Sequence, residues 1–445
     1  MSFVWSWVKF CGKLGRKRQK NAYFLRFNEF PRVYWPYTAF FRIYYKMPHL
    51  RGLIRTVHCE TYTGHGCVAA VASTNGARLH MEDAHAVAAL GDCDSPTFLV
   101  SDGHVSGNCS AWLAKHMLSS LTVPFPDELT LTRTFASLDE QYRVASAKTN
   151  NDKGLPGGAT VALCSIRYFG GEGPSAYIAH VGDSRVLHLR DGKCLFATKD
   201  HKPSDQREGR RIRARGSRVT TGGRVITEGV DSELAMSRAF GDFAYKTGDL
   251  DDYVIVSAPD IELRRGIECG DTFLVACDGL FDEGVLQNET VATMAKEGGA
   301  MDSPRSLAEK LIRAAQKHGS ADNISVIVIK VDGKSRPGPV TLVHEGLLPA
   351  PFPSSLLFDA EYTSAYAQFL AGCGKGYTMG QYFECWFDAP LPTTEPERQV
   401  DVELRQKFFG EHKPPEELIA GERRVQWFQK FYDTKLAVHN TTGKT

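Results

Sequence analysis

Between about residue 66 and residue 332 the chain is built from short apolar runs rich in Val, Ala and Thr, broken by Gly, Asp and Asn. Runs of that length bounded by turn residues predict strands. Thr97-Phe-Leu-Val, Ala176 to Val181, Thr272-Phe-Leu-Val and Ile324 to Val331 are examples. Two stretches between them, Cys109 to Leu121 and Ser306 to His318, carry a helical pattern instead. Strands and helices alternate without regular βαβ spacing. The expected class is therefore α+β, with packed sheets and helices outside them, rather than a doubly wound parallel sheet. After residue 332 the run Asp332-Gly-Lys-Ser-Arg-Pro-Gly-Pro breaks the pattern, and Glu416 to Tyr432 spaces Leu418, Val425, Phe428 and Tyr432 as an amphipathic helix would. The first 57 residues show no clean period. Three parts follow: an N-terminal extension 1–57, a central domain 58–332 and a C-terminal extension 333–445. No internal repeat of 20 to 50 residues is present.

Composition changes this picture little, but charge changes it more. At 42% hydrophobic and 24% charged, the 445 residues are neither disordered nor low-complexity. The formal net charge of +1 is a sum of opposites. Residues 1–57 hold 12 Lys/Arg against Glu29, residues 333–445 hold 12 against 14 acids, and the middle stretch carries 29 against 37, or −8. The eleven cysteines are scattered singly with no C-x-x-C pair, which fits free core thiols in a reducing compartment rather than zinc ligands or a disulfide framework. No run approaches the ~20 apolar residues of a membrane span.

Two matched segments point to chemistry. Thr97-Phe-Leu-Val-Ser-Asp102-Gly103 and Thr272-Phe-Leu-Val-Ala-Cys-Asp278-Gly279 each end a buried-strand run in an aspartate at a turn. One Asp-Gly is an ordinary turn; two presented from core strands are costly unless something positive lies between them. Glu82 and Asp83, Asp183 and Asp322 stand at similar places, and Asp282 follows Asp278 by four residues. Converging carboxylates need divalent cations to offset their repulsion, and oxygen-only ligands favour Mg²⁺ or Mn²⁺ over zinc.

The order Arg78-x-x-Met-Glu82-Asp83, Asp102-Gly103-His104, Gly158-Ala-Thr160, Gly182-Asp183-Ser184-Arg185, Asp200-His-Lys-Pro203, Leu234-Ala-Met-Ser-Arg238-Ala-Phe-Gly-Asp242, Cys277-Asp278-Gly-Leu-Phe-Asp282 and Gly319-Ser-Ala-Asp322-Asn323 resembles the PPM (PP2C-type) metal-dependent protein serine/threonine phosphatases. The resemblance covers about residues 60–332. It implies a PP2C-like α-β-β-α sandwich of two antiparallel sheets flanked by helices, with two Mg²⁺ or Mn²⁺ ions between the sheets. It also implies that Asp102 bridges both ions, that the Gly103 carbonyl binds one, and that Asp278 and Asp322 hold the other. Glu82 and Asp83 act through bound water, and Asp183 and Asp282 match a third, looser metal position. Arg78 matches the phosphate-binding arginine and His104 the general acid. The implied reaction is hydrolysis of phosphoserine and phosphothreonine in phosphoproteins by in-line attack of a metal-bridging hydroxide, insensitive to okadaic acid.

One departure stands out. The family has glycine after this histidine, whereas here the run is His104-Val105-Ser106-Gly107. If the position needs positive φ, valine is strained there and His104 is expected to be displaced while Gly103 still serves the metal. The alternative function is accordingly a pseudophosphatase that binds phosphoproteins without turnover. Arg207 to Arg218 lies where the family places a substrate-facing flap, and Arg210 and Arg211 are candidate substrate-binding residues. The basic, aromatic N-terminus is open to three readings: an extension packed on the acidic central domain through its aromatics, membrane-surface contact through residues 1–20 in a cytoplasmic, membrane-peripheral protein, or, as runner-up location, a mitochondrial transit sequence. No nucleic acid partner is expected.

Overall fold

A computed structural model describes residues 54–442 apart from 92–93, 126, 150–156, 169–172, 283, 298–302, 351–358 and 393–394. The expected N-terminal extension and its contact through residues 1–20 lie outside the described residues. The longer strands are β1 (Val57–Gly64), β2 (Cys67–Thr74), β3 (Ala84–Leu90), β4 (Ser95–Ser101), β5 (Val161–Arg167), β6 (Ser175–Val181), β7 (Arg185–Arg190), β8 (Lys193–Ala197), β9 (Asp260–Arg264), β10 (Thr272–Ala276), β11 (Ile324–Val331) and β12 (Thr341–Leu348). The α-helices are α1 (Asn108–His116), α2 (Glu128–Thr149), α3 (Gln206–Ala214), α4 (Asn288–Glu297), α5 (Pro304–Lys317), α6 (Ala360–Gly372), α7 (Met379–Asp388), α8 (Glu395–Phe409) and α9 (Glu422–Thr442).

Two antiparallel sheets face each other. One runs β8-β7-β10-β11-β2-β1-β12 and the other β9-β6-β5-β4-β3. The alternation of side chains along a strand explains why the central runs are continuously apolar. In β10 and β11, Phe273, Val275, Ile327 and Ile329 point between the sheets and meet Phe98, Val100 and Cys164. Leu274, Ala276, Val326 and Val328 point the other way, into a layer with Leu307, Leu311 and Ile312 of α5 and Val291 of α4. On the second sheet Leu99 and Leu163 pack outward against Leu113 of α1 and Phe135 of α2. The result is the α-β-β-α sandwich expected from the resemblance. The described cysteines are free, and Cys59, Cys67, Cys109, Cys164 and Cys277 are buried in this core.

The chain beyond 332 joins this body instead of trailing from it. Residues 341–348 form β12, which pairs with β1 from Val57↔Leu348 to Thr63↔Thr341. Helices α6 to α9 then build an aromatic core from Tyr366, Tyr382, Phe383, Trp386, Phe408, Phe409 and Phe428, into which Ile54 and Leu347 also pack. The helix expected over 416–432 starts later, at Glu422, because Pro414 and Pro415 and then Gly421, at φ 95°, keep the preceding chain in turns. Phe428 and Tyr432 are buried as the spacing required, while Leu418 lies before the helix. Among the described residues, no helix is long and apolar enough to cross a membrane.

Candidate active site

The alternation that builds the core also aims the carboxylates. In β4, Phe98 and Val100 face inward, and two residues on, past the strand's end, Asp102 keeps that side. In β10, Phe273 and Val275 face inward, as does Cys277, and a short 3₁₀ turn, Asp278–Leu280, follows at once. That turn stacks Asp282 over Asp278, the Asp282 N–H donating to the Asp278 carbonyl at 2.7 Å. Ligand-type atoms of Asp278, Asp282 and Asp322 lie within 4.8 Å of one another, as do those of Asp83, Asp102 and Cys277. Asp183 completes the set from the turn after β6 and is 1% exposed.

Gly103 is held by close approach. Its N–H donates to the Glu82 carbonyl at 3.2 Å, and a Cβ there would stand 2.5 Å from that oxygen. Its backbone pairs with Ala159, while the Thr160 N–H donates to the Asp102 carbonyl at 2.8 Å. Asn323 fixes the Glu82 segment by accepting from the Glu82 N–H at 2.8 Å and donating to the Asn75 and His80 carbonyls at 2.9 and 3.0 Å. Behind Asp183, His201 accepts the Gly182 N–H at Nδ1 (3.0 Å), stacks on His180 and lies 3.3 Å from Asp260. This third grouping of metal-type residues thus braces a turn.

Crowded, partly buried carboxylates resist ionisation. Burial, followed by the neighbouring carboxylates, pushes Asp102 and Asp278 well above the usual range. Burial pushes Asp83 up to about 6 and also raises Glu82 and Asp282. Asp83 Oδ2 and Asp183 Oδ1 are buried without a hydrogen-bond partner. An oxygen-only set with orphaned buried oxygens fits a hard divalent cation. The Cys277 thiol does not alter this, because burial drives its pKa far up and keeps it neutral. Two cations of the chain itself enter the cluster: Arg78 donates from Nη2 to Asp322 Oδ2 at 2.5 Å, and Lys202 donates from Nζ to Asp183 Oδ2.

His104 is held in place. Its Nε2 lies 2.7 Å from Asp242 Oδ2, although Val105 is at φ 69° and 75% exposed. The strain expected at Val105 is therefore present, but the expected displacement of His104 is not: the Asp242 carboxylate anchors the ring from another loop. Burial opposes protonation of His104, and Asp242 outweighs it with help from Asp183 and Glu82, so its pKa lies above the ordinary 6.5.

A family model described as protein phosphatase 2C matches residues 68–324. The chain belongs to that family. The rice protein named probable protein phosphatase 2C 52 is 30% identical over 277 residues, covering 60% of this chain and 52% of the relative. Protein phosphatase ppm-1.A of Caenorhabditis elegans is 30% identical over 306 residues, 61% of this chain and 60% of its own length. Human protein phosphatase 1A is 29% identical over 305 residues, 64% of this chain and 76% of its own. The chain thus spans only about half to three fifths of the rice and nematode relatives. Among solved structures, a phosphatase from Toxoplasma gondii superposes with a TM-score of 0.55 at 22% identity, over 65% of this chain and 99% of that one, a likeness of fold.

Within this protein phosphatase 2C framework, Glu82, Asp83, Asp102, Gly103, Asp183, Asp278, Asp282, Asp322, Arg78 and His104 converge. Arg211 does not join them. Its guanidinium donates to the Val254 carbonyl at 2.5 Å, the Ser237 carbonyl at 2.7 Å and Glu208 at 2.9 Å, so the expectation that it binds substrate is corrected: both its Nη groups are engaged inside the fold. Arg210 is exposed on the outer side of α3. Reading the sequence assigned no role to Asp242 or Lys202, although both stand inside recognised runs. Asp242 is at φ 50°, directly after Gly241 at φ 71°, and the Gly-Asp pair was the available signal of a side chain aimed by a tight backbone.

Proposed function

We propose that this chain is a divalent-cation-dependent protein phosphatase that removes phosphate from phosphoserine and phosphothreonine in proteins, with residues 58–332 as its catalytic unit. The observation that carries the reading is the partly buried carboxylate cluster, in which Asp83 Oδ2 and Asp183 Oδ1 are buried without a hydrogen-bond partner. Asp102, the Gly103 carbonyl, Asp278 and Asp322, with Glu82 and Asp83 through water, would hold two Mg²⁺ or Mn²⁺ ions. Asp183 and Asp282 offer a third position, where Lys202 already serves Asp183 as a counter-charge. Bound cations would neutralise phosphoryl charge and acidify the attacking water.

The remaining steps belong to the side chains. Arg78 is half-exposed, with one Nη engaged by Asp322, so its other N–H donors are available to phosphoryl oxygens and orient the phosphate. In the protonated His104 ring, Nε2–H donates to Asp242, which leaves the Nδ1 proton for the departing alkoxide. After transfer the neutral ring keeps its Nε2–H bond and its orientation. The pseudophosphatase alternative rested on Val105, and the anchoring of His104 by Asp242 weakens it. For location we propose the cytoplasm, with residues 1–20 against an anionic membrane surface.

The deciding experiment is phosphate release from a phosphothreonine peptide under a Mn²⁺ titration, with Asp278→Ala as control. Release that depends on Mn²⁺, ceases with chelator and is lost in the variant is expected. A folded protein that releases no phosphate at any Mn²⁺ concentration would overturn the reading.

A further inference from the structure

Helix α3 divides its arginines between two tasks. Glu208 and Ile212 are buried, and the half-buried Arg211 braces the fold beside them. Arg207, Arg210 and Arg213 are exposed. At 100° per residue, Arg210 stands about 160° around the helix from Ile212, with Arg207 and Arg213 about 60° to either side. These three charges therefore form one outward face.

The acids of the same segment are committed elsewhere. Asp205 caps α3, accepting from the N–H groups of Arg207 at 2.9 Å and Glu208 at 3.3 Å, and also pairs with Lys199. Glu208 turns inward to Arg211 at 2.9 Å and Arg238 at 2.6 Å. Among the described residues, no carboxylate lies within ion-pair distance of the Arg207, Arg210 or Arg213 guanidinium. This face of three unneutralised arginines stands on a unit whose 29 Lys/Arg and 37 Asp/Glu give −8. Nothing in packing requires it, since none of the three is buried.

The face also lies close to the carboxylate centre. Lys202, bonded to Asp183, precedes α3 by four residues. Those residues at ~3.5 Å each, then ~1.5 Å per helical residue, put Arg210 no more than about 20 Å from Lys202 along the chain, a span that an extended peptide crosses in about six residues.

We propose that Arg207, Arg210 and Arg213 form a docking surface for an acidic or multiply phosphorylated segment of the protein being dephosphorylated, within about six residues of the target phosphate. The proposal rests on the phosphatase reading and names its substrate class. Planar guanidiniums pair bidentately with carboxylate or phosphate, which suits Arg better than Lys here.

The test uses the full chain and two fluorescein-labelled phosphothreonine peptides. One carries four aspartates starting four residues from the phosphothreonine; the other carries serines there. Binding is read by anisotropy in Mn²⁺ at about 50 mM salt, in parallel with KM for phosphate release. The acidic tail is expected to tighten binding about tenfold, an advantage that shrinks at high salt and disappears in Arg207→Gln/Arg210→Gln/Arg213→Gln. Arg210→Glu should turn the preference toward a lysine tail. Equal binding of both peptides by the wild type would overturn the proposal, as would a triple variant that keeps the preference. So would a variant that loses binding to anionic vesicles or single-stranded nucleic acid while peptide preference is untouched. Because binding is read without turnover, an absence of phosphate release combined with intact tail preference would fail the phosphatase reading alone.

Discussion

Val105 is the residue at which local chemistry and the fold disagree most openly. A β-branched side chain at φ 69° carries about 1–2 kcal/mol of left-handed strain, and at 75% exposure it recovers little by burial. Glycine removes that strain at a cost of roughly 0.5–1 kcal/mol in unfolded-chain entropy. Val105→Gly is therefore expected to stabilise the protein by about 0.5–1 kcal/mol, a rise in Tm of about 2 °C for a unit this size, measurable by thermal melting with His104 still paired to Asp242. A fall in Tm would mean that Val105 makes a contact worth more than its strain. The same residue shows what was legible beforehand. Its strain followed from valine standing where the resemblance places a glycine, whereas the carboxylate that keeps His104 in place lies 138 residues away in sequence. Asp102 and Asp278 were legible because each ends an apolar run; the partners of Lys202 and Arg211 were not, since a cation in a charged stretch reads the same whether it faces water or a buried acid.

Among the elements, α3 depends on one buried carboxylate. Burial raises the Glu208 pKa, but hydrogen bonds and charge from Arg238, then Arg211, more than offset this and bring it down to about 2 from 4.5. A lowered acid pKa contributes stability that is fully present above about 4.5 and is lost as pH falls from there through 2. At about 1.4 kcal/mol per unit this amounts to about 3 kcal/mol. Glu208→Gln should thus unfold at lower urea than wild type at pH 7, and the gap should narrow below pH 4.5. A gap independent of pH would show that the loss is one of packing. The elements were partly readable for related reasons. The central strands, apolar on both faces, declare themselves by continuous Val/Ile/Ala runs, and α5 by its period. β12 does not, because Thr341 to His344 are exposed and, among the described residues, their strand partner is β1, some 280 residues earlier.

At the scale of the whole molecule, the carboxylate centre sits where strands from both sheets end, and the additions sit elsewhere. In the seven-stranded sheet β12 is three strands from β11, about 14 Å in the hydrogen-bonding direction. The aromatic core of α6 to α9 meets the sheet at Ile54 and Leu347, beside that same border. The boundary expected at 332 marks the end of the recognised runs, while the compact body continues beyond it. Pairing between distant segments is what a local reading of the sequence could not supply.

That border has a consequence for self-association. A chain stopped at 332 would leave the whole length of β1 unpaired on one side, with its N–H and C=O groups available to any other strand, including the β1 of another copy. Residues 1–332 are therefore expected to elute from size-exclusion chromatography as dimers or larger species, whereas a monodisperse monomer would show that the edge is closed by other means. Seen this way, the strand and helices after 332 act as a selvedge, a finished margin that lets a sheet of seven strands stop at seven.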